Sequence, residues 1–290
     1  MADAATVARR DHRAGQLRRW SLNAVLLAAC AVSLYPFLVM LFGSLKGAGE
    51  ITTNPGGVPL SPTVDNYLGL FTGETGRLVW RGMANSLIVT IPSTILTVVL
   101  AAMAGYAFAR YSFRGKNLLF GLMIASMLVP LEVNIPTLYL MFSRLGWLNS
   151  YQALILPGSA SVLYMFMARQ FMAGLPGEVF EAARVDGAGH ARMFFQIALP
   201  MSAPELGAIG VLSFVAKWSE YVWPRIANKD PDFQPIMVLL PALSTSESSF
   251  IIRPETLMAG AVLITVPLIL VFIFFQDKLM NGVTGGAVRG

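Results

Sequence analysis

A helix of about twenty residues without a charged side chain has few places to be buried other than a bilayer, and this chain carries several such runs. Residues 20–42 hold no Asp, Glu, Lys or Arg, and neither do residues 257–275, LMAGAVLITVPLILVFIFF. At 1.5 Å per residue, either run reaches across a hydrocarbon core of roughly 30 Å. The 20–42 run is too long for the core of a signal peptide and lacks a convincing small-residue cleavage site, so it reads as an uncleaved first span. Further runs near 85–108, 117–142 and 151–171, and one opening at 202, bring the set to six. The expected fold class is all-α: a polytopic integral membrane protein of six transmembrane helices. A tail at 1–19, a spanning domain at 20–276 and a second tail at 277–290 divide the chain.

Composition agrees, because only 13% of the 290 residues are charged where a soluble domain carries about a quarter. The single cysteine, Cys30, excludes an internal disulfide and any multi-cysteine metal or iron–sulfur site. His12 and His190 stand far apart in different kinds of segment, so no metal site is expected. The net charge of +5 has a topological reading that needs no nucleic acid. Thirteen of the twenty-one Lys and Arg fall in the proposed inner segments, although the outer loops are longer. This asymmetry puts both chain ends in the cytoplasm.

The polar interruption at 181–200, EAARVDGAGHARMFFQIALP, lies on that same inner side. Pro176 and Glu178 suit a helix's first turn, Gly187 can end that helix in a left-handed turn, and Pro200 ends a second one. The expectation is a helix-turn-helix over 174–201 with small Ala182 and Ala183 on its first arm and Glu181 offering a carboxylate. A helix lying on the membrane surface would need neither the glycine nor the closing Ile197-x-Leu199-Pro200, and the stretch carries both charge signs.

Other residues carry narrower signals. Ala101, Ala104 and Gly105 are small enough for close helix approach. Gly115-Lys116 lacks both the earlier glycine and the following Ser or Thr of a phosphate-binding loop. If ATP drives this protein, another chain must hold it. In MLVPLEVNIP, Pro130 and Pro136 flank Glu132 and Asn134. A carboxylate at membrane depth faces a watery cavity or a partner, or sits hydrated near the interface, and the residues leave both open. Ser202 and Glu205 have the spacing of a capping box. In FVAKWSEYVWP, Trp218, Glu220 and Tyr221 read either as an aromatic belt or as the lining of a path for sugar. Residues 225–254 read as a polar loop.

The 181–200 string resembles, position for position, the cytoplasmic loop of the membrane subunits of bacterial ATP-binding-cassette (ABC) importers. Asp65-Asn66-Tyr67, Asn85-Ser86-Leu87, Arg169-Gln170, Trp218, Trp223-Pro224 and the Thr284–Gly290 tail are similar to the carbohydrate branch, the subunit related to the maltose-system G permease. The resemblance implies a non-catalytic permease that couples to its motor through Glu181, Ala182, Ala183, Asp186, Gly187, Ile197, Leu199 and Pro200. It also implies a substrate path past Glu132, Asn134, Trp218, Glu220 and Tyr221. The implied partners are a second homologous permease, two ATP-binding-cassette ATPase subunits holding ATP and Mg, an extracytoplasmic solute-binding protein, a sugar and membrane lipid. The implied place is the bacterial inner membrane, and the tail at Gly285–Gly290 becomes an additional contact to the ATPases. Lys217-Trp218-Ser219-Glu220 departs from the Trp-Asn-Asp common in that branch, which leaves the sugar open. The rival cargo is a glycerol phosphate ester. The rival class is a proton-coupled carrier using Glu132 and Glu220.

Overall fold

The computed structural model describes residues 2–243 and 253–284, and among these residues there is no strand. The helix α1 (Ala2–Ser44) leads through the short α2 (Ala48–Thr53) and α3 (Asp65–Phe71) to α4 (Gly73–Arg110). At 38 residues, α4 is about 57 Å long and forms the axis of the molecule. Then come α5 (Lys116–Ser126), α6 (Ile135–Arg144), α7 (Tyr151–Ile155), α8 (Val162–Ala173), α9 (Gly177–Val185) and α10 (His190–Met193). A π-helical turn (Phe194–Ala198) and α11 (Leu199–Met201) lead into α12 (Ala203–Trp218), α13 (Val222–Ala227), α14 (Ile236–Leu243) and α15 (Pro254–Thr284).

The buried face of α4 runs through Val79, Gly82, Ser86, Val89, Ser93, Thr97, Ala101, Gly105 and Phe108, in the steps of three and four that put residues on one side of a helix. Most are small because other helices press against them. A Cβ on Gly105 would lie 2.7 Å from Ala168 Cβ and 2.8 Å from the Arg169 nitrogen, so α8 crosses α4 at van der Waals distance. Gly82 gives α14 the same closeness, 3.1 Å from such a Cβ to Ile236 Cα. Helix α1 packs on α15 and keeps most of its apolar surface exposed, as a lipid-facing helix does.

Among the described residues, three helical stretches are long and apolar enough to cross a membrane: Arg19–Ser44, Gly73–Arg110 and Pro254–Gln276. A fourth crossing forms if His190–Met201 and Ala203–Trp218, bent by 74°, count as one. The runs at 117–142 and 151–171 are broken. Pro130 cannot donate to the Ser126 carbonyl, which instead takes the Val129 amide at 3.2 Å, and α5 ends at Ser126. Pro157 and Gly158, whose φ is +77°, separate α7 from α8.

The tail at 1–19 is helix from Ala2, because its Ala and Arg are good helix formers and extending an existing helix costs little. In the same way α15 runs past the end expected for the last span to Thr284. The loop at 225–254 contains the buried α14, whose apolar run is too short to span but fills the notch at Gly82. Ser202 and Glu205 form no capping box. The Ser202 amide is already bonded to Ala198 O at 3.0 Å, so the glutamate has no free amide to reach, and Ser202 Oγ is buried without a partner. The tail at Gly285–Gly290 lies outside the described residues.

Polar side chains hold the loops at the N-terminal end of α4. Buried Lys46 donates to the Asn54 and Gly57 carbonyls at 2.5 and 2.6 Å. Glu50 accepts from the Leu60 amide at 2.6 Å, and this bond holds its carboxyl below the ordinary value. Asn66 Nδ2 donates to the Ser44 and Lys46 carbonyls at 2.9 and 2.8 Å, closing the end of α1. Asn85, fully buried, donates to Asp232 O at 2.9 Å and Gln234 O at 3.0 Å and accepts from the Tyr151 hydroxyl at 2.7 Å. Asn85→Leu strips these groups of their partner, at about 1–3 kcal/mol for each one left unsatisfied. Limited proteolysis of the purified protein is expected to cut within 225–235 at least several-fold faster in the variant.

Candidate functional site

At the C-terminal end of α4, the 174–201 stretch is built as a rigid turn. Helix α9 closes with two bonds, Gly187 N to Arg184 O at 3.1 Å and Ala188 N to Ala183 O at 2.8 Å, the pair that defines a Schellman turn. Gly187 supplies the left-handed backbone at φ +78°. Ala183 and Ala188 meet in the core, which is the apolar contact this turn normally carries. Two residues later the chain restarts as α10. Pro200 does not end that run, which continues to Met201 and breaks at Ser202.

One face of α9 is anchored. Phe180 is buried, the Arg110 guanidinium stands 4.1 Å over its ring, and Arg110 Nη2 donates to Leu175 O at 2.6 Å. An arginine over an aromatic face is attracted by the ring quadrupole. Met193 and Ala198 are buried beside it, and Tyr111 meets the His190 ring edge-on at 5.2 Å. The opposite face is bare. Glu181, Ala182, Asp186 and Gly187 are exposed, and Val185 keeps 88% of its surface free. Ile197 and Leu199 are half-buried against the anchored side, and Pro200 is exposed.

The second feature is a cleft of about 250 Å³ beside the middle of α4, lined by Glu132, Ile135, Pro157, Gly158, Glu220 and Tyr221 among others. Trp223 forms its floor and donates from Nε1 to Ala153 O at 2.7 Å. That ring packs in one cluster with Val89, which lies about 30 Å along α4 from Arg110, close to the thickness of a hydrocarbon core. Behind the wall, Lys217 Nζ binds Glu220 Oε2 at 2.9 Å and Pro157 O at 2.8 Å. Of the five residues expected on the path, Glu132, Glu220 and Tyr221 come together here. Asn134 is exposed and outside the lining. Trp218 is instead in the core, 1% exposed, its Nε1 donating to Ile264 O of α15 at 3.0 Å.

The family of binding-protein-dependent transport system inner membrane components matches residues 97–284. The chain belongs to this family. The arabinooligosaccharides transport system permease protein AraQ of Bacillus subtilis is 33% identical over 276 residues, covering 94% of this chain and 96% of that protein. The diacetylchitobiose uptake system permease protein NgcG of Streptomyces coelicolor is 32% identical, covering 92% and 88%. Among solved structures, a bacterial ABC transporter involved in the import of the acidic polysaccharide alginate superposes with a TM-score of 0.76 at 20% identity, covering 88% of this chain and 94% of that one. The permease is therefore a non-catalytic membrane subunit of an importer.

In the permease, seven of the residues that carried the resemblance to the carbohydrate branch are clamps of the fold. Asn66 and Tyr67 close the end of α1, Asn85 and Ser86 hold the chain at 232–236, and Trp218 and Trp223 pin backbone carbonyls. Arg169 lies 4.2 Å over the Phe120 ring, which ties α8 to α5. Arg110 stands in the sequence only as part of a basic inner loop and Lys217 only as a charge among the aromatics of 214–224, with no sign that they organise the turn and the cleft. Their signal was a cation closing an apolar run, which is common wherever spans meet water.

Proposed function

We propose that this permease forms half of the transmembrane path of an ATP-driven importer of sugars or oligosaccharides. Six spans with both ends cytoplasmic make up its body. The broken pairs α5–α6 and α7–α8 each count as one crossing, since irregular backbone is tolerated at membrane depth where protein or a wet cavity satisfies it. The turn at 174–201 seats in a groove of a separate ATPase subunit. Glu181, Ala182 and Asp186 form its contact face, Gly187 sets the reversal, and Ile197, Leu199 and Pro200 join it to α12. Two ATPase subunits hold ATP and Mg, and a second homologous permease and a solute-binding protein complete the assembly.

The observation that supports this most directly is the pairing of a bare face with an anchored one. Arg110 ties α9 to the end of α4 through the Phe180 ring and the Leu175 carbonyl, so a push on the exposed face moves a long helix rather than a slack loop. The same helix reaches the cleft. The names of AraQ and NgcG favour a saccharide as cargo.

The test is a photo-crosslinking residue placed at Ala182, with another at the exposed Phe195 for comparison. In membranes holding the whole assembly, Ala182 is expected to give an adduct of the mass of permease plus ATPase subunit, changing in yield with nucleotide. Absence of that adduct in every nucleotide state rules out the coupling role.

A further inference from the structure

We infer that the cleft lined by Glu132 and Glu220 is an electrostatic filter, admitting uncharged saccharides and turning back acidic ones such as uronates and phosphate esters. The inference rests on the sugar-importer reading and names the class of cargo. The fold does not settle the point, because a structure of this fold belongs to a transporter of an acidic polysaccharide. The charges in the cleft carry it.

Two carboxylates line the wall, Glu132 and Glu220, and no Lys or Arg among the described residues does. The nearest cation, Lys217, stands behind Glu220 with its side chain only 10% exposed. Two of its three N–H donors are engaged, one by Glu220 at 2.9 Å and one by the Pro157 carbonyl at 2.8 Å. Its charge is thus balanced locally by Glu220, and Glu132 is left over, so the cleft is net negative. Lys229 lines the adjoining, wider hollow and donates to Arg225 O at 3.1 Å.

An anionic sugar entering such a space loses water and meets like charge, which raises its energy from both causes. A neutral sugar presents hydroxyls instead, and hydroxyls donating to carboxylates make charge-assisted hydrogen bonds. Tyr221, 38% exposed as a residue, adds with its ring a flat apolar surface of the kind a pyranose or furanose covers. The site that repels an acid therefore binds an alcohol.

Because Cys30 is the only cysteine of this chain, Cys30→Ser makes the permease cysteine-free, and labelling is read on the permease band for a direct test. Reporter cysteines at Tyr221 and, separately, at half-exposed Val222 are reacted with a cationic and an anionic methanethiosulfonate reagent. The assembly is in lipid nanodiscs, and each rate is divided by the reagent's rate with a free thiol. The cationic reagent is expected to be about tenfold faster, the effect of one unit charge at close range in a partly wet site. Glu132→Gln is expected to remove most of that preference, and Glu132→Gln with Glu220→Gln to reverse it by exposing Lys217. Equal normalised rates at both reporters, or faster reaction of the anionic reagent with the unaltered wall, overturn the charge assignment.

The second arm measures protection of the cysteine at Val222, which leaves the Tyr221 ring in place, by a panel of neutral trisaccharides and by triuronates. Protection by the neutral sugars alone, shifting toward triuronates in the double Gln variant, is the expected result. Protection by triuronates alone overturns the filter. A cleft that shows the charge preference but is protected by neither overturns the sugar reading of this site, with the charge assignment intact.

Discussion

Gly187→Val is expected to abolish uptake while leaving the protein in the membrane at its normal level. A Cβ at this position would meet nothing within 4 Å, so there is no steric collision with a neighbour to explain a loss. The cost lies in the backbone. At φ +78° a β-branched residue is strained by about 1–3 kcal/mol, and relaxing that strain breaks the two bonds that close α9. The exposed face would then lose its fixed angle to α4, and a motor gripping it would stroke a loose end. ATP hydrolysis by the assembled complex is expected to persist, with transport per ATP falling at least tenfold. Gly187→Asn separates geometry from chemistry, since asparagine enters the left-handed region at modest cost. It is expected to keep most of the uptake. Equal loss in both variants, or normal transport by the valine variant, would count against a coupling role for this turn.

The second large effect is expected at Gly105, and it acts on the fold itself. An alanine here must push its methyl against Ala168 Cβ at 2.7 Å and against the backbone nitrogen of Arg169 at 2.8 Å, neither of which is a flexible side-chain end. Alanine favours helix by about 1 kcal/mol over glycine. Overpacking at a helix crossing costs about 1–3 kcal/mol and is expected to win. Gly210→Ala is the control, since its methyl would sit 3.6 Å from Val98 Cγ2, an ordinary contact. Unfolding of the purified protein in mixed detergent micelles should show Gly105→Ala less stable than the parent and Gly210→Ala equal to it or more stable. Gly105→Leu should fail to accumulate. Equal stability of the two alanine variants would mean that α4 and α8 do not cross as closely as described.

Much of the turn was legible because its signals are local. Gly187, the alanines before it and Pro176 lie within a few residues of one another, and helix-end chemistry works at that range. The cleft was half legible. Glu132, Glu220 and Tyr221 stood out as polar or aromatic groups in apolar runs, but Trp218 stood out for the same reason and proved to be a core residue bonded to Ile264. Nothing in a window of ten residues distinguishes a tryptophan that lines a path from one that pins a helix. The error at Ser202 is similar. The pattern S-x-x-E closes as a reciprocal capping box only if the serine amide is free for the glutamate, and that depends on whether the preceding turn is helical.

From its own order of residues the chain determined that it is helical and membrane-bound, and that Gly187 must turn left-handed. These are outcomes of hydrogen-bond satisfaction within one helix and of solvation of one run. Only the tertiary structure decided that Arg110 reaches Phe180, that Lys217 reaches the Pro157 carbonyl and leaves the cleft negative, and that Asn85 holds the chain at 232–234. Those pairs lie about 60 to 150 residues apart in sequence, and which of them meet depends on how closely α4 lets its neighbours approach.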